Sequence, residues 1–388
     1  MTSIPKPDRE IDRRRGEFPG LGDGIHLLSH SLGPVPRTAR ESMLAYLDRW
    51  RRHGSEDAWA EEWWTLSEEV GDRIARFLGG EPGTVQIQPN TSVALSTVAS
   101  CLDYTKRNRI VITELDFPST QYIWHEQKRI GAEIVAVPSE GGVVTPLEKI
   151  LDAIDDRTAL VAISHTSFLS SHRLDPVPII EKAHARGARV LLDCYQSAGI
   201  VELKAAGWKV DFLIGGTIKW LCGGPACGYL YVRPGSIRDL EPRLTGWIAH
   251  ADPFRFAPGA IEYAATVRRF AQGTPNIPGL YSCLPGLKLV EEVGLPNLWA
   301  ESRRRTQWMV EFARERGWKL NSPADPARRG GSVMIGVKDG REMVRRLAER
   351  RVFVDARPNV GLRISPHFFN TDEEVQEGME TLARLKKG

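Results

Sequence analysis

Strands and helices alternate along the middle of the chain, from Thr84 to Val232. Short apolar runs are separated by segments whose apolar residues recur at helical spacing. This alternation predicts an α/β fold with a mostly parallel seven-stranded sheet and helices on both faces. The predicted strands are Thr84–Gln88, Arg109–Glu114, Ala132–Val137, Thr158–Ser164, Ala188–Asp193, Asp211–Gly215 and Ala226–Val232. The helices predicted between them are Thr91–Leu102, Ser119–Ile130, Pro146–Ile154 and Pro176–Arg186.

The pattern changes after Val232. The segment from Thr245 to Pro278 contains four prolines and is predicted to be a loop, and one long helix is predicted from Leu284 to Arg316. Short strands and helices then mix, which is typical of a smaller C-terminal α+β domain. We therefore expect an N-terminal segment over 1–54 that packs on the small domain, a large cofactor-binding domain over 55–280 and the small domain over 281–388.

Charge and cysteine content exclude several classes of function. The formal net charge is only +3, which does not favour binding to nucleic acid or to an anionic membrane. No apolar run approaches the ~18 residues that a transmembrane helix needs. The five cysteines have no metal-ligand spacing with histidines, so they are predicted to be free thiols in a reducing, cytoplasmic compartment.

Asp193 and Lys219 carry the strongest chemical signal. Asp193 ends one predicted strand, and Lys219 follows the next, 26 residues further on. In open α/β sheets the carboxyl ends of parallel strands form the ligand-binding crevice, so both side chains are expected to point into it. A lysine amine and a buried carboxylate are what pyridoxal 5′-phosphate requires, the first for a Schiff base and the second to keep the pyridine nitrogen protonated. The freed Lys219 amine could then act as a general base.

Three other positions have two readings each. Thr91 and Ser92 begin a predicted helix, where their hydroxyl and N–H groups could bind phosphate or simply cap the helix. Phe117 follows a strand and could stack on a pyridine ring or belong to the core. Arg363 lies within an apolar strand and needs a partner, which could be a substrate carboxylate or an internal acid.

Four motifs give the chain a family resemblance: Ser29–Pro34, Asp116–Ser119, Gly246–His250 and Gly361–Pro366. With Asp193 and Lys219 they resemble pyridoxal-phosphate enzymes of fold type I, within the class V aminotransferase superfamily, and most of all kynureninase. The resemblance implies a homodimer with shared active sites that acts on an amino acid substrate. It implies a hydrolase that cleaves a Cβ–Cγ bond through a quinonoid intermediate, with Lys219 and Asp193 as catalytic residues.

The resemblance also assigns roles to individual residues. It places Thr91 and Ser92 at the phosphate, Phe117 on the cofactor ring, Ser164 or Ser167 near the 3-hydroxyl side, and Arg363 at the substrate α-carboxylate. His30 and Ser31 fall in the segment that would contact the substrate. Trp247 and Thr274 match positions that reach the cofactor phosphate of the other subunit.

Two departures from kynureninases leave the reaction open. Ile218 replaces the tyrosine that precedes the lysine, and Gln196, which could still hydrogen-bond phosphate, replaces a histidine. The alternative is a class V aminotransferase, or a lyase or epimerase, on an unknown amino acid. A cysteine desulfurase would need a nucleophilic cysteine in a C-terminal loop, and the predicted loop from Asn321 to Gly331 has none. A non-catalytic pyridoxal-phosphate-binding protein would not need the complete set of Asp193, Lys219 and Arg363.

Overall fold

The computed structural model describes residue 4 and residues 11–387 of the chain. The β-strands are β1 Ile25–His26, β2 Val85–Gln88, β3 Arg109–Thr113, β4 Glu133–Val137, β5 Thr158–Ser164, β6 Arg189–Asp193, β7 Phe212–Gly216, β8 Gly228–Val232, β9 Val333–Ile335, β10 Val352–Phe353, β11 Asp355–Arg357 and β12 Gly361–Ile364. The α-helices are α1 Ala39–Ala58, α2 Trp64–Leu78, α3 Thr91–Ser100, α4 Pro118–Glu126, α5 Leu147–Asp152, α6 Val177–Ala185, α7 Ala205–Trp208, α8 Ile277–Val293, α9 Leu295–Glu315, α10 Gly340–Ala348 and α11 Asp372–Lys387.

The central sheet has seven strands in the order β2-β8-β7-β6-β5-β3-β4. Strands β3 to β7 pair in parallel, and β8 runs antiparallel to both of its neighbours. The predicted mostly parallel seven-stranded sheet is therefore confirmed. The carboxyl ends of β3, β5, β6 and β7 meet at one edge, because parallel neighbours end on the same side.

Both faces of this sheet are buried, as expected when helices cover a parallel sheet on each side. Strand β6 shows how one sequence serves both faces. Val190 and Leu192 belong to the hydrophobic core that also contains Ile179 of α6, whereas Leu191 belongs to the core that contains Leu95 of α3. Because side chains alternate along a strand, the unbroken apolar run of β6 packs against helices in two directions.

The C-terminal part has its own sheet and core. Strands β11, β12 and β9 form an antiparallel sheet, and β1 pairs in parallel with β10. Leu27 lies in the same buried cluster as Val333 and Leu382, so the chain around β1 packs on the C-terminal part. Of the predicted N-terminal segment 1–54, residues 1–3 and 5–10 lie outside the described residues. The limits 1–54, 55–280 and 281–388 remain a proposal.

The single long helix predicted from Leu284 to Arg316 is wrong. The structure has two helices, α8 and α9, separated at Gly294. Gly294 has φ 81° and ψ 136°, a backbone conformation outside the helical region that residues with a Cβ rarely adopt. Apolar periodicity continues through the break, so periodicity alone did not reveal that the chain turns there.

In the part of the chain that the structure describes, no helix is both long and apolar enough to cross a membrane. The described residues likewise contain no cluster of His, Cys, Asp and Glu that could hold a metal ion.

Candidate active site

A cavity of about 270 Å³ lies at the carboxyl edge of the central sheet. It is formed by the segments that follow β2, β3, β5, β6 and β7, as the strand-end rule for α/β sheets predicts. Seven of the residues selected from the sequence line it: Thr91, Ser92, Phe117, Ser164, Asp193, Gln196 and Lys219. The fold therefore brings most of the candidate site together in one place.

Lys219 is partly buried in the loop after β7, and its amine faces two aromatic rings. Its Nζ lies 4.0 Å from the ring centre of Tyr195 and 5.9 Å from that of Phe117. Burial lowers the pKa of Lys219 to about 8, with the Asp193 carboxylate opposing this shift and the Arg363 guanidinium adding to it. A depressed pKa makes the amine a better nucleophile near neutral pH, because more of it is unprotonated.

The lowered pKa of Lys219 predicts how the rate of cofactor attachment depends on pH. We expect the covalent attachment of pyridoxal 5′-phosphate to cofactor-free protein to accelerate as pH rises and to be half-maximal near pH 8, because only the neutral amine of Lys219 attacks an aldehyde. Stopped-flow absorbance of the cofactor would measure the rate. A midpoint near 10.5, the ordinary lysine value, would show that burial does not depress this pKa.

Asp193 ends β6, and one oxygen of its buried carboxylate accepts a hydrogen bond. Its Oδ1 accepts a hydrogen bond of 2.9 Å from the backbone N–H of Tyr195, and Oδ2 has no partner among the described residues. Burial raises the pKa of Asp193, while the Tyr195 N–H and the Lys219 amine oppose this shift. A carboxylate with a free oxygen in a cavity is suited to accept a hydrogen bond from a ligand.

The start of α3 forms one side of the cavity. Asn90 is the N-cap, since its side chain accepts a hydrogen bond of 3.0 Å from the Val93 N–H. Thr91 donates its hydroxyl to the Gly215 carbonyl at 3.2 Å, and the Ser92 side chain has no hydrogen-bond partner within the described chain. Capping is thus performed by Asn90 at the Val93 N–H, which leaves the Ser92 hydroxyl and the N–H groups of Thr91 and Ser92 for an anion such as phosphate.

Arg363 pairs with an acidic side chain of the protein itself, which was one of the two partners that the sequence allowed. It is buried, and Asp355 accepts hydrogen bonds from its Nε and Nη2. His30, also selected from the sequence, contacts the same carboxylate through Nε2 at 2.9 Å. Arg363 and Asp355 both influence the pKa of Lys219, so this group lies within electrostatic range of the amine.

Six selected residues do not line this cavity: Arg363 and His30, described above, and four others. Ser31 lies in the turn after His30, and Ser167 accepts backbone hydrogen bonds within its own turn. Thr274 lines a separate cavity of about 300 Å³. Trp247 is 38% exposed and packs against aromatic neighbours.

Tyr195 is the main residue that the sequence reasoning left out of its site assignment. It follows Asp193 by two residues and lines the cavity. Its ring fits because Gly216 lacks a side chain: a Cβ at Gly216 would lie 2.6 Å from the Tyr195 hydroxyl oxygen. The position directly after a strand end was the available signal.

Asp116 is a second residue that the sequence did not identify, and it supports the strands that form the cavity. Its carboxylate accepts hydrogen bonds from the N–H groups of Thr113 and Ser164 at 2.7 and 2.6 Å and so links β3 to β5.

Gly33 holds the N-terminal segment against the Lys219 loop. Its N–H donates to the Ile218 carbonyl at 2.8 Å, and a Cβ at Gly33 would lie 2.5 Å from the Lys219 carbonyl oxygen. We expect Gly33→Ala to displace this loop, to cost about 1–3 kcal/mol of stability and to weaken cofactor attachment. Thermal unfolding and cofactor absorbance would measure both effects. Gly20→Ala is the matched control, since a Cβ at Gly20 meets nothing within 4 Å; equal behaviour of the two variants would contradict the expectation.

Known proteins resemble this chain both in sequence and in fold. A family model described as aminotransferase class-V matches residues 25–377. The uncharacterized aminotransferase YcbU of Bacillus subtilis (strain 168) is 29% identical over 385 residues, which cover 99% of this chain and 98% of YcbU. Kynureninase of Bacillus anthracis is 27% identical over 398 residues, covering 97% and 92% of the two chains. The apo structure of cysteine desulfurase from Thermococcus onnurineus NA1 superposes with a TM-score of 0.87 at 21% identity and covers all of both chains, which confirms the predicted fold.

Proposed function

The chain belongs to the class V aminotransferase family, a family of pyridoxal-phosphate enzymes, and we propose that it is a kynureninase-like hydrolase. The reaction would be the cleavage by water of the Cβ–Cγ bond of an amino acid with a γ-carbonyl group, which yields alanine and a carboxylic acid. The observation that carries the proposal is the convergence of Lys219, Asp193 and the α3 N-terminus on one cavity.

The residues of the cavity fit the cofactor. Lys219 offers a buried amine of lowered pKa, and Asp193 offers one unpartnered carboxylate oxygen for a pyridinium N–H. The Ser92 hydroxyl and the N–H groups of Thr91 and Ser92 at the start of α3 offer donors for a phosphate. When bound, pyridoxal phosphate withdraws electrons from the substrate α-carbon and makes the α-proton acidic.

The protein's own groups would orient the substrate and move its protons. Arg363 would bind the substrate α-carboxylate, and this contact would fix the α-carbon next to Lys219. The Lys219 amine would take the α-proton as general base and return it later, because its lowered pKa lets it exist in both forms near neutral pH. The buried Asp193 would stay charged in contact with the cofactor nitrogen.

Tyr195 could supply the hydroxyl that Ile218 lacks. It lies against the Lys219 amine, and its hydroxyl has no hydrogen-bond partner among the described residues. Burial raises the pKa of Tyr195, so the phenol remains protonated and can donate to the γ-carbonyl as water adds. This supports the hydrolase over the aminotransferase alternative, which needs no such donor.

A cysteine desulfurase is not favoured despite the shared fold. Cys283 is buried in α8, and the hydrogen bond of its thiol to the neighbouring Cys227, together with burial, raises its pKa well above the ordinary thiol value. Cys101 is partly exposed, and burial raises its pKa to about 12. Thiols of this kind stay protonated at neutral pH and are poor nucleophiles.

We also propose that the enzyme is a homodimer. Trp247 and Thr274 do not line the cavity of their own chain, which fits the partner-directed role that the family resemblance gives them. Trp247 lies in an exposed aromatic group with Phe254 and Phe256. An apolar group of this size on the surface is typical of an interface.

The deciding experiment starts from the absorbance spectrum of the purified protein. A cofactor band that borohydride removes would show the covalent link to Lys219. L-kynurenine and 3-hydroxykynurenine are then added, and fluorescent anthranilate products plus alanine would support the hydrolase. Loss of the band to the pyridoxamine form, with a keto acid as product, would assign an aminotransferase instead. A Tyr195→Phe protein should lose cleavage while it retains cofactor binding.

A further inference from the structure

An ion-pair network stands behind Arg363 and joins the β11–β12 hairpin to the N-terminal segment. Asp355 and Arg363 are direct partners across the hairpin. The Asp355 carboxylate accepts from Arg363 Nε at 2.7 Å and from Nη2 at 2.5 Å. His30 Nε2 lies 2.9 Å from Oδ1, and Arg357 Nη1 lies 3.1 Å from Oδ2. Three side chains therefore hold this carboxylate in one orientation.

The protonation of this network follows from burial and hydrogen bonding. Burial alone would raise the pKa of Asp355, but the bonds from His30 and Arg363 hold it well below its ordinary value. Burial lowers the pKa of His30 to about 4, so its ring is neutral at neutral pH. Because an ionised carboxylate only accepts, His30 donates through Nε2 and accepts through Nδ1 from Ser365, whose oxygen is 2.8 Å from that of Ser332.

Within the described part of the chain, Arg363 keeps one unused donor on each terminal nitrogen of its guanidinium. A guanidinium has five N–H groups, of which Asp355 takes two and the Phe168 carbonyl takes one from Nη1 at 3.0 Å. One N–H on each terminal nitrogen is left without a partner among the described residues. The side chain of Arg363 is 3% exposed, so these donors are buried and require an acceptor.

The charges of the group match one anion. Arg363 and Arg357 are positive, Asp355 is negative, and His30 is neutral, which leaves one net positive charge. A single carboxylate would balance it, so Asp355 need not leave when a monocarboxylate binds. Asp355 thus occupies the side edge of the guanidinium and leaves the outer edge to the ligand.

We propose that His30 and Asp355 are positioning residues, which fix the orientation of Arg363 so that only its outer edge meets the substrate carboxylate. This inference rests on the proposed function, in which Arg363 binds that carboxylate. Neither residue would contact the reacting atoms. Their role would be to prevent Arg363 from rotating, since small errors in the placement of the α-carbon slow proton transfer.

The test uses the holoenzyme with L-alanine, the product of the proposed reaction, in D₂O. The α-proton exchange rate at saturation and the half-saturation concentration are measured by proton NMR. In Asp355→Asn we expect the saturating rate to fall about 100-fold while the half-saturation concentration stays equal or falls. His30→Gln keeps a donor where Nε2 lies and should remain close to wild type, whereas His30→Asn lacks that donor and should resemble Asp355→Asn.

A second readout does not depend on activity. The Arg363 Nε–H signal, assigned by its loss in Arg363→Lys, should be distinct in the wild type and in His30→Gln and averaged in Asp355→Asn. Asp372→Asn is the matched control, because Asp372 pairs with Arg304 and Arg305 away from the cavity. It should lower the unfolding temperature and leave the rate of the folded enzyme and the Arg363 signal unchanged.

The outcomes distinguish a failure of the positioning role from a failure of the proposed function. A lower half-saturation concentration with an unchanged rate in Asp355→Asn would mean that Asp355 competes with the substrate, and it would overturn positioning. An unchanged Arg363 signal in that variant would overturn it as well. If Arg363→Lys leaves the half-saturation concentration as in wild type, or if wild type does not exchange the proton, the proposed function fails, and the Arg363 signal alone decides on positioning.

Discussion

Replacing Lys219 by alanine is expected to reduce turnover by about 10⁴-fold or more, because the variant loses both the covalent nucleophile and the general base. The visible band of lysine-bound cofactor should disappear, and borohydride should no longer fix the cofactor to the protein. Lys219 is the one amine that lines the cavity, so no neighbouring side chain in that lining can take over the covalent link. Absorbance, borohydride trapping with mass analysis and steady-state assays measure these losses.

The control for this variant is Lys204→Ala. Lys204 is an exposed lysine whose side chain pairs with Glu202 at 3.5 Å on the surface. Its loss should alter neither the band nor the rate. A Lys219→Ala protein that kept its yellow colour and full turnover would refute the assignment of the site, whichever reaction the enzyme catalyses.

Asp193→Asn is expected to slow α-proton removal by about 10²- to 10³-fold while the cofactor still binds. The amide keeps the size of the carboxylate and can still accept the Tyr195 N–H. It has no negative charge, so it cannot stabilise a protonated pyridine nitrogen. L-alanine proton exchange measures the rate, and an absorbance titration measures cofactor affinity.

Asp211→Asn provides a matched comparison for this prediction. Asp211 is as deeply buried, but it precedes β7 at the opposite edge of the sheet, where it accepts from Val190, His184 and Arg233. Its replacement should lower the unfolding temperature without a change in the exchange rate per folded molecule. Wild-type exchange in Asp193→Asn would show that Asp193 is not the partner of the cofactor nitrogen.

Much of the candidate site could be predicted because it lies at strand ends. Asp193 ends β6 and Lys219 follows β7, and parallel neighbours must bring such positions to the same edge. The apolar runs that identify β6 and β7 are local features of the sequence, so no long-range information was needed. The break at Gly294 and the site role of Tyr195 were not predicted, since neither changes the periodicity of the sequence around it.

The sequence by itself determined the α/β class, the parallel sheet, and the placement of Asp193 and Lys219 in one crevice, because strand alternation and parallel pairing are read from local patterns. Only the tertiary structure decided what surrounds Arg363. His30 and Asp355 are 325 residues apart, and they meet because β1 pairs with β10 beside the β11–β12 hairpin. Such a contact depends on which segments pair across the fold. The physical reason is that side-chain periodicity specifies a face of an element, whereas its partner is chosen by the packing of the whole chain.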